Sequence, residues 1–443
     1  MKQFTLNQTV KLIEQNKITL LKNEINRCHS GDISQIINNL SEEYQILVFK
    51  LLNLENAADV LHELYDEVRE NIIENTPQKN LFNIVDEMDS DEATDLVSEL
   101  EEDLADEILS NIDKEDSAEI VKLLKYDEES AGGLMQTEII AVQQNMKRDE
   151  VIEYIRKNVD DAENIHYVFV VDDDNKLLGL FEVTKLLLAE KNKQAIDLME
   201  DEMISVNVDV DQEETAHLFR KYDLFILPVI DAENHLLGRI TVDDIIDVID
   251  EEASEDAYKM VGLENEDRVF TTPLNSVKKR LPWLSLNLFT ALLVSSVVGV
   301  FQQTIENLSI LAVLMPIVAG LGGNSGTQTL TVITRGIALG ELTIHNTSKA
   351  ILKEITVGTI NGIIVGSAAM LMAYLLKGDI MLGVVLGVAM ICNMFIAGLV
   401  GSIIPVVMKL LKIDPALASS VIITMLTDIG GFASFLGLAT LLL

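Results

Sequence analysis

Asp428, in Met425-Leu-Thr-Asp428-Ile-Gly-Gly, stands well inside the last apolar run of the chain. A carboxylate facing lipid there costs about 2.5 kcal/mol or more, so it is expected to face a wet cavity. No basic residue lies at comparable depth in any apolar run, which argues against an internal salt bridge. The competing reading is a protonated or backbone-bonded structural acid. A second polar feature lies in 311–341, which is apolar enough to enter a bilayer yet carries Pro316, Gly320, Gly322, Gly323, Asn324, Gly326 and Gln328. Helix-breaking and polar residues are tolerated at that depth where they pack on other helices or line a wet cavity. A small-residue packing seam would explain the glycines. It would not explain Asn324 and Gln328, whose i, i+4 spacing puts two carbonyl oxygens on one face. A lone carboxylate among Thr, Asn, Gln and Gly oxygens, without His or Cys, suits a hard divalent cation. Mg²⁺, which holds its waters tightly, is usually gripped through them by one or two carboxylates.

Acids dominate the rest of the chain. Asp91 and Asp95 form an i, i+4 pair on one helix face, which Asp89 or Ser90 can cap. From Ile240 onward come Asp243, Asp244, Asp247, Asp250, Glu251, Glu252, Glu255 and Asp256, with no opposite charge among them, in a helical pattern that leads towards Pro273. Like charges one turn apart repel unless a cation is shared, and a solvated face is the plainer alternative.

The charge is unevenly placed. Across 443 residues the net charge is -38, yet from Leu281 onward six acidic residues stand against six basic ones. The whole excess therefore lies in 1–280. Such a domain repels nucleic acid, which is excluded as a partner, and attracts multivalent cations. Cys28 and Cys392 make no disulfide framework. The opening MKQFTLNQTV lacks a signal peptide's apolar core, so the acidic part is expected in the cytosol.

These residues need elements to position them. Residues 1–135 show apolar positions at helical spacing with acidic faces and no persistent strand run, which predicts an all-α superhelical domain of stacked helices. A loose echo runs through Ala58-Asp59-Val60-Leu61, Thr94-Asp95-Leu96-Val97 and Ala118-Glu119-Ile120-Val121. After Ala131-Gly132-Gly133 the pattern becomes α/β. His166 to Asp172, a hairpin, Gly179-Leu-Phe and a helix are repeated as Phe225 to Asp231, a hairpin, Gly238-Arg-Ile-Thr241 and a helix. This is a duplication of about 60 residues. The expected limits are 136–200 and 201–247, with a connecting acidic helix and linker in 248–280.

Five apolar runs follow, about 282–305, 309–338, 350–376, 380–408 and 416–443, each long enough to cross a bilayer, giving a five-helix α transmembrane bundle over 281–443. Lys278, Lys279 and Arg280, then Arg335, Lys349 and Lys353, then Lys409 and Lys412 fall on one side, with Lys377 beside Asp379 on the other. The positive-inside rule puts the acidic part in the cytosol and Leu443 outside.

The duplicated unit resembles a tandem pair of cystathionine-β-synthase (CBS) domains. Such pairs commonly sense adenine nucleotides, ATP among them, and Thr241 and Asp244 match the ribose- and phosphate-contacting positions of that motif. The first repeat departs from it, with Glu182 and Lys185 in place of the hydroxyl and the Asp. A bare dimerising scaffold is the other reading.

Over nearly its full length the chain resembles the MgtE-type magnesium channels and transporters. The carrying residues are Pro316 through Gly320, Gly323-Asn324-Ser-Gly326-Thr-Gln328, Lys353-Glu354, Asp414-Pro415-Ala416-Leu417, Asp428, Ala131-Gly-Gly-Leu-Met135 and Thr241-Val-Asp-Asp244-Ile-Ile-Asp247. The resemblance implies a homodimer in the plasma membrane with one central pore and a plug helix that shuts it when cytosolic Mg²⁺ is high. By position, Asp428 looks like the ion-selecting acid of the pore, with Asn324 beside it. Asp91, Asp95, Asp211, Glu213, Asp223, Asp244, Asp247, Glu252, Glu255, Asp256 and Asp414 look like sensor ligands.

Other classes remain to be weighed. An enzyme is disfavoured, because no nucleophile or glycine-rich phosphate loop stands out and none of the six histidines recurs in a ligand spacing. A transporter of broader divalent specificity, for Mn²⁺ or Co²⁺, or a proton-coupled one regulated by nucleotide, could also use one deep acid.

Overall fold

The computed structural model describes residues 4–158, 165–200, 203–263, 271–343, 345–417 and 420–443. The chain forms two compact units, Met1–Val248 and Ile249–Leu443.

The first unit opens with ten helices among its described residues, from α1 (Leu6–Glu14) to α10 (Lys114–Leu123), including α5 (Leu54–His62) and α8 (Ser90–Glu99). Helices of this length are marginal alone in water. Their apolar stripes stack into one core, in which Leu21, Ile25, Ile33, Leu61, Ile72 and Ile108 are fully buried. Local capping sets some ends, as where the Asn53 side chain accepts from the Asn56 amide at 3.2 Å. The start of α8 is held differently from the expectation. Neither Asp89 nor Ser90 caps it through its side chain; Glu138, far along the chain, accepts from the Ser90 amide at 3.1 Å and its hydroxyl at 2.9 Å.

Two three-stranded sheets follow. β1 (Ala141–Gln143) pairs parallel with β2 (Tyr167–Val171), which pairs antiparallel with β3 (Leu177–Glu182). Helices α11 (Arg148–Lys157) and α12 (Val183–Leu188) flank this sheet in sequence. The second copy repeats the order with β4 (Val206–Asn207), α13 (Gln212–Tyr222), β5 (Ile226–Ile230) and β6 (Leu236–Thr241). Register repeats as well: Val170 faces Gly179 and Val229 faces Gly238. Both glycines are needed for close approach, since a Cβ on Gly238 would lie 2.5 Å from the Gln136 carbonyl and one on Gly179 2.7 Å from that of Glu200. The hairpin tips pair with each other, the Leu177 amide with the Asn234 carbonyl at 2.9 Å and the Leu236 amide with that of Asn175 at 3.1 Å. From β6 the chain enters α14 (Val242–Met260) without a break.

Among its described residues the second unit holds five helices long and apolar enough to cross a membrane: α15 (Pro273–Val300), then, after short α16 (Gln302–Asn307), α17 (Ile310–Ala338), α18 (Thr347–Lys377), α19 (Ile380–Leu410) and α20 (Ser420–Leu442). The first begins about two turns before its apolar run, so Lys278, Lys279 and Arg280 ride on the same helix. Pro316 lies inside α17, which continues through it as one helix. Helices α18 and α19 meet along a seam of glycines, with a Cβ on Gly366 falling 2.7 Å from the Gly387 carbonyl and one on Gly398 2.7 Å from that of Glu354. Small residues let backbones approach where no hydrophobic drive separates helix from lipid. Val318, Leu386, Met390, Phe435 and Leu436 fill the core among α17, α19 and α20.

Candidate metal sites

In the first unit, α8 and the β6–α14 join bring acids together. Asp91 is 7% exposed, and its Oδ1 is buried with no hydrogen-bond partner. Burial first, and the charge of Asp244 second, hold its carboxyl well above the usual range. Beside it Glu92 is pushed up to about 9 by burial and by Asp91, Asp89 and Asp59. Asp244 is raised to about 6, chiefly by burial. Hydrogen bonds from the Thr241 hydroxyl at 2.6 Å and amide at 3.2 Å oppose that rise. Asp89 and Glu138 are raised too, again chiefly by burial, with Arg239 lowering Asp89. These acids repel one another in a shared buried setting, a cost that a hard divalent cation would relieve, although they are not among the described groups whose ligand atoms lie within 4.8 Å of one another.

The structure thus lets Asp91 and Asp244, both named above as sensor ligands by resemblance, act on one another, and Asp59, Asp89, Glu92 and Glu138 act on the same acids, a role that sequence reading missed. Asp59 carried a signal, since it stands in the helical echo beside Ala58. Asp95 sits one turn along α8, half-buried, and Asp247 lies exposed on α14. The α13 acids are not gathered. Asp211 caps α13, accepting from the Glu213 amide at 2.9 Å, whereas Asp223 takes the left-handed position at its far end, with φ 52°. An 11-residue helix separates them, about 16 Å at 1.5 Å per residue. Each faces solvent. Thr241 and Asp244, matched to a nucleotide motif, spend their side chains on one another.

One correction concerns histidine. Asp231, Glu233 and His235 place ligand atoms within 4.8 Å of one another, a ligand spacing that sequence reading denied to any histidine. Hydrogen bonds inside the group account for it: Asp231 accepts from the Glu233 and His235 amides and from the imidazole.

In the second unit, the end of α14 meets the turn between α19 and α20. Asp414 Oδ1 accepts from the Ala416 amide at 2.8 Å, and its Oδ2 accepts from Lys259 Nζ at 2.7 Å. The same ammonium pairs with Glu255, one helical turn earlier. Asp256 is raised to about 6 by burial and then by Asp414 and Glu252, with Arg335 opposing. Glu255, Asp256 and Asp414 are therefore together, as expected, and Glu252 is near enough to act on Asp256. The acidic run is not free of counter-charge, however. Lys259, unweighed in the sequence, supplies it at i, i+4 from Glu255.

In the membrane-length helices, α17 divides its small and polar residues between two faces. Gly322, Gly323 and Gly326 are buried, and a Cβ on Gly326 would lie 2.5 Å from Ile423 of α20. Asn324 and Gln328 face outward and stay exposed. The packing-seam reading and the polar-face reading both hold, on opposite sides. Thr424 approaches Gly323, and one turn further along α20 Asp428 is half-buried, its Oδ1 buried without a hydrogen-bond partner. Asn393 on α19 is fully buried between Gly322 and Gly431, donating to the Val318 carbonyl at 2.8 Å. Asp428 is not the one acid in the packed interior. Glu354, named above only among the residues that carry the resemblance, is 4% exposed, accepts from the Thr329 hydroxyl at 3.3 Å and pairs with Lys353. Its place at the start of an apolar run hid this.

Comparison with known proteins places the whole chain, from its helical domain to its membrane-length helices, beside one family. Residues 315–438 match a family described as MgtE, divalent cation transporter; residues 28–129 match the MgtE intracellular N domain; and 131–192 and 195–251 each match a CBS domain. The magnesium transporter MgtE of Enterococcus faecalis is 37% identical over 322 residues, covering 73% of this chain and 71% of that protein. The magnesium transporter MgtE of Bacillus subtilis is 30% identical over 430 residues, 97% of this chain and 95% of that one. Among solved structures, the cytosolic domain of the Mg²⁺ channel MgtE in complex with ATP aligns with TM-score 0.53 at 30% identity, over 55% of this chain and all of that one.

Proposed function

The chain belongs to the MgtE family of divalent cation transporters, and from that premise we propose that it conducts Mg²⁺ across the cell membrane and that cytosolic Mg²⁺ closes it. Relatives that carry the name magnesium transporter, over most of this chain's length, support the choice of ion. One observation carries the conduction site: Asp428 keeps a buried, unpartnered oxygen one turn from Thr424, which meets Gly323 next to Asn324. The donors there are all oxygen, as a hydrated hard cation requires.

A single chain leaves the Asn324 and Gln328 face uncovered. Lipid would penalise it, so a second copy facing it across a central pore is the arrangement we favour, making the protein a homodimer. The basic clusters at one set of helix ends support a topology with the acidic unit in the cytosol and Leu443 outside.

Closure draws on Asp91, Asp244 and their neighbours. Carboxylates held well above their ordinary range by burial and mutual repulsion release that cost when a divalent cation binds, so Mg²⁺ favours whichever state gathers them. Asp95, Asp247, Glu252, Glu255, Asp256 and Asp414 extend the ligand set along α8, α14 and the α19–α20 turn. Asp211, Glu213 and Asp223 are exposed at the two ends of α13, where they could contribute to a site shared with a second copy of the chain.

A second reading, that the CBS pair takes ATP, has the solved complex of the related cytosolic domain behind it. Here it requires Thr241 to release Asp244, which would couple nucleotide to the acid cluster.

The test is flux through reconstituted protein as internal Mg²⁺ is raised from chelated to saturating levels. Wild-type flux falls, and Asp244→Asn needs more Mg²⁺ to fall equally at unchanged single-channel current. A flat wild-type response would reject Mg²⁺ closure.

A further inference from the structure

Two of the carboxylates assigned above to the seam between α14 and the α19–α20 turn, Glu255 and Asp414, share a cation already within reach. Lys259 Nζ donates to Asp414 Oδ2 at 2.7 Å and pairs with Glu255, and all three side chains are half-buried or better. Asp414 is set for this role, because the Ala416 amide holds its other oxygen at 2.8 Å and leaves Oδ2 to face the helix. An ammonium is a compact point charge with three donors, enough to bond two carboxylates at once.

A second contact fixes the same helix end. Gly262, just past α14, has φ +73°, and a Cβ placed on it would lie 3.3 Å from Trp283 Cε3 of α15. The backbone therefore rests on the one tryptophan in the chain. Neither contact involves a metal ion.

We propose that Lys259 is a tethered cation that does the work of a metal at the Glu255–Asp414 seam, so that α14 docks on the membrane unit and the pore is partly closed even without Mg²⁺. The inference rests on the closing role assigned to α14 above. Mg²⁺ then adds to closure through Asp256, whose carboxyl is raised by burial and by Asp414, and the response to Mg²⁺ is graded from a basal closed population.

The experiment compares wild type, K259Q and K259R as full-length protein in liposomes, with internal Mg²⁺ chelated and then saturating. Flux is read together with Trp283 emission. In chelator, K259Q is expected to pass Mg²⁺ about three- to fivefold faster than wild type, the factor that loss of a half-buried ion pair gives. Its Trp283 emission shifts to the red as the indole loses the Gly262 turn. K259R, which keeps the charge, matches wild type in both readings, and its folding controls for damage by substitution. At saturating Mg²⁺ K259Q closes as wild type does. Equal flux and equal emission for K259Q and wild type in chelator would overturn the proposal, as would K259R behaving like K259Q. Wild type that ignores internal Mg²⁺ would reject Mg²⁺ closure alone, since the chelator comparison still decides the role of Lys259.

Discussion

Asp244 raises the carboxyl of Asp91 beyond what burial alone does, although the whole CBS pair separates α8 from α14 in sequence. Repulsion of this kind persists in a folded protein only where something else offsets it. Arg239 offsets part of it, lowering the carboxyl of Asp89 against the rise that burial causes.

A pH dependence follows with a fixed sign. Each acid of the cluster is raised, so below the ordinary range near 4 folded and unfolded chains are both protonated and the cluster costs nothing. As pH rises, the unfolded chain ionises first, and the folded cluster loses stability until its own acids ionise, Asp244 at about 6 and Glu92 at about 9. In chelator, hydrogen-exchange protection of α8 and the β6–α14 join, corrected for intrinsic rate, should fall from about pH 5 to about pH 9. Mg²⁺ should restore it at the upper end. Protection that rises with pH in chelator would remove the cluster from consideration as a metal site.

Gly322 and Gly320 should respond differently to the same methyl group. A Cβ on Gly322 would fall 2.1 Å from Asn393 Nδ2, whereas one on Gly320 meets nothing within 4 Å. Gly322→Ala should cost about 1 to 3 kcal/mol or more, because Asn393 is itself held by the Val318 carbonyl and cannot move freely. Gly320→Ala should be near neutral. Thermal unfolding in detergent decides it, and equal midpoints for the two variants would show that α17 does not pack on Asn393.

Lys353 and Glu354 should behave as a coupled pair. Lys353→Gln leaves a buried carboxylate without its cation and should destabilise by about 1 to 3 kcal/mol. Adding Glu354→Gln, which keeps an acceptor for Thr329, should recover part of that loss. A double-mutant cycle on unfolding midpoints measures the coupling. Strictly additive losses would mean that the pair contributes nothing.

Much of this was legible in sequence, for identifiable reasons. The five apolar runs become α15 and α17 to α20 with ends moved by a turn or two, because about 20 apolar residues in a row leave few alternatives. The duplication becomes two sheets with matching registers, since Gly179 and Gly238 recur at the same step of the same hairpin. What stayed hidden depended on contacts between distant segments. Lys259 is visible as the i, i+4 partner of Glu255, but nothing local announces Asp414, 155 positions on. Glu138 holds the start of α8 from 48 positions away, which is why the local candidates Asp89 and Ser90 were expected there. Burial of Glu354 is likewise set by Thr329 on a neighbouring helix. Asp211, Glu213 and Asp223 are named by resemblance, and α13 then sets Asp223 at the opposite end from the other two.

Conduction through Asp428 is the claim on which the rest depends, and Mg²⁺ entry into liposomes holding a Mg²⁺-sensitive dye tests it most directly. Asp428→Ala, assembled like wild type by size-exclusion chromatography, should admit no Mg²⁺ above empty-vesicle leak. Asp428→Asn, which keeps the shape and one oxygen, should retain some flux and lose preference for divalent over monovalent ions. Mg²⁺ entry at the wild-type rate through Asp428→Ala would contradict the assignment.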